Sequence, residues 1–254
     1  STISITTELE SKPYIGMTIE VMNQFGVTAN PSTDWKTFNI PSSQQYSCSQ
    51  YHVPGDYSSA AFLMVAGALL GNVKITGLRI LDGQGDSRII SILAEMGVKI
   101  KQDKQQVIVS QSEPRAIEID ASDIPDLVPI LSVLATQAKG KTRIFNARRL
   151  QYKESNRLNT TTTELRKLGA SIETTNEGLE INGPSKLRGT NIDPHDDHRI
   201  AMAGIVACLV SKRLSEVSNI ECIKKSYPNF IQDMISLGAQ IECSSDRRQR
   251  RRYQ

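Results

Sequence analysis

DYSSAAFLMVAGALL, residues 56–70, carries its only charge at the first position. This pattern predicts a helix covered on most sides, with Asp56 at or near its N-cap, where a carboxylate meets free N–H groups and the positive end of the helix dipole. Two later apolar runs also open with aspartate, DLVPILSVLATQA (126–138) and DHRIAMAGIVACLV (197–210), at steps of 70 and 71 residues. The chain is therefore organised by a repeat of about 70 residues.

A second mark of the repeat is a glycine before a short apolar stretch. The glycines lie at steps of 71, 72 and 69 residues, and we expect each to end a second helix, since glycine is the usual residue after a helix C-terminus. They are Gly26, Gly97, Gly169 and Gly238. Short strand-like stretches complete the unit: NVKITGL (72–78), QVIVSQ (106–111), KTRIFNA (141–147), GLEING (178–183) and LSEVSNI (214–220).

Alternation of strand and helix predicts an α/β (α+β) fold. Residues 1–53 contain only a strand, a second helix and a hairpin, without the apolar first helix of the unit. Because a fold built of such units would not begin there, we expect further residues upstream of Ser1.

The composition is that of a globular protein, with 39% apolar and 22% charged residues. No apolar run reaches the ~20 residues of a membrane span, and no basic-then-apolar leader opens the chain. The four cysteines have no CxxC spacing, which favours reduced thiols in a cytoplasmic protein over a disulfide frame or a zinc site. They are Cys48, Cys208, Cys222 and Cys243.

The net charge of +3 comes from the end of the chain. Residues 244–254 carry five arginines and one aspartate, and the rest has 25 basic and 26 acidic side chains. The body is therefore not a general polyanion binder. We expect a disordered tail rather than a nucleic-acid contact, although such an Arg cluster could touch nucleic acid.

A polar loop precedes the second helix of every unit. Three of the four loops place lysine beside Ser, Tyr or Arg at a helix N-terminus, where free N–H groups attract anions. The loops are TELESKPYIGMT (7–18), GLRILDGQGDSR (77–88), ARRLQYKESNRL (147–158) and IECIKKSYPNF (220–230). One such loop is ordinarily a capped helix with solvated charges. Equivalent placement in a repeat favours a shared anionic cleft.

DPHDDHRIAMA (193–203) allows two interpretations. Its acidic and histidine side chains could suggest a metal, but aspartate at a helix start is ordinary capping and the chain has only three histidines. We therefore expect no metal. Arg199, one turn into a buried helix, needs a partner, and a bidentate anion would serve. Asp126 likewise has both a capping interpretation and one as a base at the mouth of a basic cleft.

The chain resembles the 5-enolpyruvylshikimate-3-phosphate synthase (EPSP synthase) family. Seven phrases carry the resemblance, in family order and spacing: SKPYIGMT (11–18), PGDYSSAAFLMVAGAL (54–69), GQGD (83–86), IPDLVP (124–129), YKESNRL (152–158), DHRIAMA (197–203) and KSYPNF (225–230). The resemblance implies an inside-out barrel fold of two domains, each with three βαβαββ units. Residues 1–53 would end the upper domain, 54–243 would form most of the lower domain, and an amino-terminal portion of the same enzyme would be missing.

The resemblance also implies an activity and its residues. The family transfers the enolpyruvyl group of phosphoenolpyruvate to the 5-hydroxyl of shikimate 3-phosphate without metal or organic cofactor, in chorismate and aromatic amino acid biosynthesis. Asp126 would be the base and Glu154 the proton donor. Shikimate 3-phosphate would be bound by Ser11, Tyr14, Asp126 and Lys153, and phosphoenolpyruvate by Arg157, Arg199 and Lys225.

Two other functions stay open at this point. The first is the sister transferase that acts on UDP-N-acetylglucosamine, which SKPY and KESNR disfavour. The second is a folded but non-catalytic substrate-binding fragment, because catalysis depends on groups positioned on both sides of a cleft.

Overall fold

The computed structural model describes residues 1–47, 50–79, 83–104 and 106–243. The predicted tail 244–254 and Cys48 lie outside these described residues. The helices are α1 (Lys12–Gln24), α2 (Tyr57–Leu70), α3 (Ile89–Glu95), α4 (Val128–Gln137), α5 (Arg157–Lys167), α6 (His198–Val210) and α7 (Phe230–Ser236). The strands are β1 (Thr2–Ser4), β2 (Asn30–Pro31), β3 (Thr37–Asn39), β4 (Asn72–Thr76), β5 (Lys99–Gln102), β6 (Gln106–Ser110), β7 (Glu118–Asp120), β8 (Gly140–Phe145), β9 (Ser171–Thr174), β10 (Leu179–Gly183), β11 (Asn191–Ile192) and β12 (Glu216–Val217).

One βαβαββ unit is complete, running β7–α4–β8–α5–β9–β10. Its sheet has the order β7-β8-β10-β9, with β7 and β8 parallel and the other pairs antiparallel. Incomplete copies flank it as the sheets β1-β3-β2, β4-β6-β5 and β11-β12. The predicted repeat is thus present, but only Glu216–Val217 of the stretch 214–220 is strand, and a 3-10 turn begins at Ile220.

The apolar runs that open each unit form α2, α4 and α6, which pack on one another at the centre of the core. Most side chains of each helix are buried, as expected for runs with little polar surface. Asp56 and Asp197 cap α2 and α6 by accepting hydrogen bonds from backbone N–H groups of the first turn. The three helices therefore start at the same end of the core, beside the polar loops.

The capping interpretation of Asp126 is wrong. This residue lies in a 3-10 turn, Pro125–Leu127, that leads into α4, and no side-chain hydrogen bond caps either element. Pro125 and Pro129 lack N–H groups, so fewer donors at this start need an acceptor. The carboxylate of Asp126 is instead directed at cationic side chains.

The four repeat glycines all end a helix in the same way. Their φ angles lie between 82° and 99°, the left-handed region that favours glycine. The next residue donates its N–H to a carbonyl five positions back, the bond of a Schellman motif. These bonds are Val27 to Met22, Val98 to Leu93, Ala170 to Leu165 and Ala239 to Met234, each 2.9 or 3.0 Å long. The helix ends predicted from the sequence are confirmed.

None of the helices in the described part of the chain is long and apolar enough to cross a membrane.

Candidate active site

The candidate site lies where the starts of α4, α5 and α6 meet. A 3-10 turn, Arg148–Tyr152, carries the chain from β8 to Lys153 and Glu154. Asn156 then caps α5, its side-chain oxygen accepting from the N–H of Asn159 at 3.2 Å. This cap starts α5 at Arg157 and directs that side chain inward.

Arg157 is the centre of the site. Its side chain is 1% exposed, and its guanidinium donates to three carboxylates. Nε reaches Asp197 Oδ2, Nη1 reaches Asp126 Oδ1 and Nη2 reaches Glu154 Oε2, each at 2.7 Å. Burial would lower the pKa of Arg157, but the hydrogen bond that Arg157 donates to Asp197 and the three negative charges raise it. The cation is therefore fixed in place.

Glu154 lies between two cations. Its Oε1 lies 2.6 Å from Lys225 Nζ, and its Oε2 accepts a hydrogen bond from Arg157. Partial burial would raise the pKa of Glu154, yet the hydrogen bond from Lys225 and the charge of Arg157 lower it to about 2. At neutral pH Glu154 is ionised and accepts hydrogen bonds. It can donate a proton only after Arg157 or Lys225 is drawn away or a further negative charge arrives.

Asp126 faces three cations from three segments. Besides Arg157, Arg199 Nη2 lies 3.4 Å and Lys153 Nζ 3.7 Å from its carboxylate. Burial acts to raise the pKa of Asp126, but the charges of Arg199, Arg157 and Lys153 lower it below its usual range. An ionised carboxylate at the rim of the cluster, with 20% of its side chain exposed, can accept a proton from a bound hydroxyl group.

Arg199 has two unpaired hydrogen-bond donors in the described structure. It is 6% exposed, and its Nε and Nη1 atoms are buried without a hydrogen-bond partner among the described residues. The guanidinium also lies 6.0 Å from the ring centroid of Phe62. Buried unpaired donors are costly, and a bidentate anion such as phosphate or carboxylate would satisfy both. Among the described residues, Arg199 is thus the cation of the cluster that keeps buried donors unpaired.

The amino-terminal segment brings Tyr14 to the same place. Burial and the charges of Asp86 and Asp126 raise the pKa of Tyr14, so its phenol stays protonated as a hydrogen-bond donor. Ser11 occupies the N-cap position of α1 with φ 55°, but its side chain makes no capping hydrogen bond. The described structure shows no ion pair or hydrogen bond that joins the Ser11 side chain to the cluster, so its predicted role stays a prediction.

Sequence reasoning assigned no role in the site to two side chains beside it, Asp197 and Asp86. Asp197 is fully buried and uses one oxygen as the cap of α6 and the other for Arg157 and Ser155. Asp86, 2% exposed, accepts a hydrogen bond from Ser58. Burial raises the pKa of Asp86 to about 6, although the hydrogen bond from Ser58 opposes the shift. The phrase GQGD contains Asp86, and only its fit to the family order singled it out.

The structure shows no group of three or more His, Cys, Asp or Glu side chains that could hold a metal ion within the ranges it describes. The carboxylates of the site are engaged by Arg and Lys rather than gathered around a space. The expectation of no metal and no organic cofactor stays a prediction.

Comparison with known proteins places the chain among enolpyruvyl transferases. Residues 1–234 match the family model described as EPSP synthase (3-phosphoshikimate 1-carboxyvinyltransferase). Proteins named 3-phosphoshikimate 1-carboxyvinyltransferase from Methanocorpusculum labreanum and Clostridium novyi are 42% identical over 239 residues and 43% identical over 242 residues. These alignments cover 94% and 95% of this chain but 56% and 55% of those proteins. The chain therefore spans a little over half the length of the curated relatives it matches.

Solved structures give the same result for the fold. An EPSP synthase from Acinetobacter baumannii superposes with a TM-score of 0.80 at 23% identity, covering 95% of this chain and 57% of that one. The enolpyruvyl transferase NikO from Streptomyces tendae gives 0.76 at 21% identity, covering 95% and 56%. At these identities the likeness concerns the fold, and it confirms the predicted fold class of repeated βαβαββ units.

Proposed function

Because this chain belongs to the EPSP synthase family, we propose that it supplies one wall of an active site that transfers the enolpyruvyl group of phosphoenolpyruvate to the 5-hydroxyl of shikimate 3-phosphate. The observation that carries the proposal is the cluster around Arg157, in which Asp126, Glu154, Lys153 and Lys225 converge and Arg199 keeps two buried donors open. Both substrates are multiply anionic, which suits this surplus of directed cationic donors.

The cluster divides into two anion sites and a proton path. Arg157, Arg199 and Lys225 would hold the phosphate and carboxylate of phosphoenolpyruvate, with the two free Arg199 donors filled first. Lys153 would bind shikimate 3-phosphate. Tyr14, a protonated donor near Asp126, would bind the same substrate together with Ser11. No step requires a metal or an organic cofactor.

The proposed chemistry balances within these groups. Asp126 takes the proton of the substrate 5-hydroxyl as the hydroxyl oxygen bonds to the phosphate-bearing carbon of phosphoenolpyruvate. At the same time Glu154 gives a proton to the methylene carbon. The resulting tetrahedral adduct loses phosphate, which takes the proton held by Asp126. The methyl group then returns a proton to the ionised Glu154 as the double bond is restored. Glu154 is ionised in the open site, so the negative charge of the bound substrates must first draw Lys225 from it and raise its pKa.

The second wall would come from an amino-terminal portion of the same enzyme. The proposal follows from the share of the relatives that this chain covers and from the partly exposed side chains of Lys153, Glu154 and Lys225 at the rim of the site. On this view residues 1–53 end the upper domain and residues 54–243 form most of the lower one. The chain without its partner would leave the reacting groups in water and turn over slowly.

Transfer to UDP-N-acetylglucosamine is not favoured, because the relatives reported above carry the name of the shikimate enzyme. The cytoplasmic location expected from the cysteines stays a prediction.

The residue roles are tested by Glu154→Gln and Asp126→Asn in the enzyme completed with its upstream portion. We expect phosphate release to fall by about 10² to 10⁴-fold in each, the usual contribution of a positioned acid or base. Glu180→Gln, which loses only a surface pair with Lys141, is the control. Near-normal turnover of folded Glu154→Gln and Asp126→Asn enzymes would overturn the assignment.

A further inference from the structure

Glu164 is a buried carboxylate that the proposed chemistry does not use. It lies on α5 seven residues after Arg157, hence on the same face two turns further along. The side chain is 3% exposed. Lys167 Nζ lies 2.8 Å from both of its oxygens, which accounts for the charge but not for the burial. An ion pair between residues three apart on a helix forms equally well at the surface, so the pair with Lys167 does not explain why Glu164 is buried.

The second group that Glu164 holds is a turn. Its Oε2 accepts the backbone N–H of Asp193 at 3.0 Å, and its Oε1 lies 3.5 Å from His195 Nε2. Asp193 in turn accepts the N–H of His195 at 2.9 Å. Glu164 thus ties α5 to the connection between β11 and α6.

That connection is strained. The N–H of Asp197 bonds to the carbonyl of Pro194 at 3.0 Å and closes a turn whose two central residues have positive φ, 51° at His195 and 57° at Asp196. Residues with a side chain avoid this region because Cβ crowds the carbonyl oxygen, so neighbouring contacts must hold the turn. The backbone bond to Glu164 at its entrance is one of them.

The turn ends at the residue on which the site depends. Asp197 caps α6 through the N–H of Arg199, and its other oxygen receives Arg157 Nε at 2.7 Å and Ser155 Oγ at 3.1 Å. A shift of the turn would therefore move the carboxylate that fixes the guanidinium of Arg157.

We propose that Glu164 is a positioning residue for this site: it fixes the turn 193–197, and through Asp197 it sets the guanidinium of Arg157. The consequence for turnover rests on the proposed function, whereas the effect on Arg157 does not. A purely helical role, in which Glu164 serves only Lys167, makes the opposite prediction for two conservative substitutions.

The test compares Glu164→Asp with Glu164→Gln in the chain of 254 residues. Glutamine keeps an oxygen at the right reach for the N–H of Asp193 and loses the charge toward Lys167. Aspartate keeps the charge and is one methylene too short. The readout is hydrogen exchange of the Arg157 Nε–H by NMR, assigned by its loss in Arg157→Lys. Lys167→Met removes the helical partner and serves as the matched control.

We expect exchange at least about tenfold faster in Glu164→Asp and within about twofold of the parent in Glu164→Gln and Lys167→Met, since exchange reports local opening. Fast exchange in Glu164→Gln and Lys167→Met with a parent-like Glu164→Asp would overturn the proposal in favour of the helical role. Parent-like exchange in all three variants would also overturn it. Because no turnover is measured, a failure of this inference and a failure of the proposed function are separate results.

Discussion

Helices α1 and α5 occupy equivalent places in the repeat but differ in what surrounds them. Both end at a glycine in the same Schellman motif. In α5 seven residues are buried, whereas α1, two residues longer, has no buried residue in the described structure. Local sequence therefore specifies the helix and its end, while burial depends on neighbours that residues 54–243 supply for α5.

The difference extends to the whole of each region. The described part of residues 1–53 contributes three buried hydrophobic side chains, Val27, Ala29 and Phe38, and none of them belongs to the main core. That core runs from Tyr57 to Met234. Residues 1–53 contact the rest of the chain beside the site. Glu10 Oε2 lies 3.7 Å from Arg149 Nε, and Pro13 packs so close to Gly85 that a Cβ added there would come 3.1 Å from it. We infer that α1 is presented to the cleft rather than buried beneath it.

The largest expected effect comes from the ionic centre of the better-packed region. Arg157→Met would leave Asp126, Glu154 and Asp197 without their common partner, and breaking a buried ionic cluster in this way costs about 3–5 kcal/mol of unfolding free energy. Arg143→Met is the control, because its contacts to Glu118 and Glu177 are at the surface and should cost less than about 1 kcal/mol. Urea unfolding measures both. Equal losses would contradict the central place given to Arg157.

A matched pair of truncations tests the two helices directly. Leu165 and Met22 lie four residues before Gly169 and Gly26, and each carbonyl accepts the Schellman bond. Leu165 is 3% exposed, so Leu165→Ala should cost about 2–5 kcal/mol, whereas Met22→Ala should cost less than about 1.5 kcal/mol. The unfolding free energies of the two variants provide the comparison. A loss at Met22 as large as that at Leu165 would mean that α1 is supported by a core of its own.

A smaller effect, visible as pH dependence, concerns Asp86. Burial raises its pKa from 3.8 to about 6, so the unfolded chain loses the proton first as pH rises. Protonated Asp86 should therefore contribute to the free energy of unfolding in full below about pH 4. This contribution should fall by roughly 2–3 kcal/mol between about pH 4 and 6 and stay constant above about pH 6.

Asp86→Asn should remove that decline, and urea unfolding across pH 4–7 would show it. Asp34→Asn in residues 1–53 is the control, because a hydrogen bond from Ser32 lowers the pKa of the fully exposed Asp34 and gives no decline in this range. Glu154 acts in the opposite direction, since the stability that it contributes is lost only as pH falls from about 4.5 toward 2. A decline that persisted in Asp86→Asn would show that another group titrates there.

The sequence predicts more of the fold than of the site. The glycines and the apolar runs act over one or two turns of helix, so spacing was enough to predict the repeat and its helix ends. Two of the three carboxylate partners of Arg157, Asp126 and Asp197, lie 31 and 40 residues away, and periodicity contains no information on such contacts. Resemblance to a family assigned Asp126 and Arg157 to one site, whereas neither the resemblance nor the periodicity gave Asp197 a role there.

Asp126 and Asp197 show the same limit. Both open an apolar run, and capping was the natural interpretation of each. Asp197 does cap its helix and also binds Arg157, whereas Asp126 gives both oxygens to cations. Prolines at the start of α4 distinguish the two cases, and they are visible in IPDLVP, so this signal was available in the sequence.

The measurement that tests the central claim is phosphate release from phosphoenolpyruvate and shikimate 3-phosphate, made first with this chain and then after addition of the amino-terminal portion that we propose completes the site. If residues 1–243 form one wall of a shared site, release should be at background for the chain and rise only when the upstream portion is present, and Glu154→Gln should abolish the rise. Full turnover by this chain without the added portion would contradict the shared site, and so would the absence of phosphate release from the folded mixture.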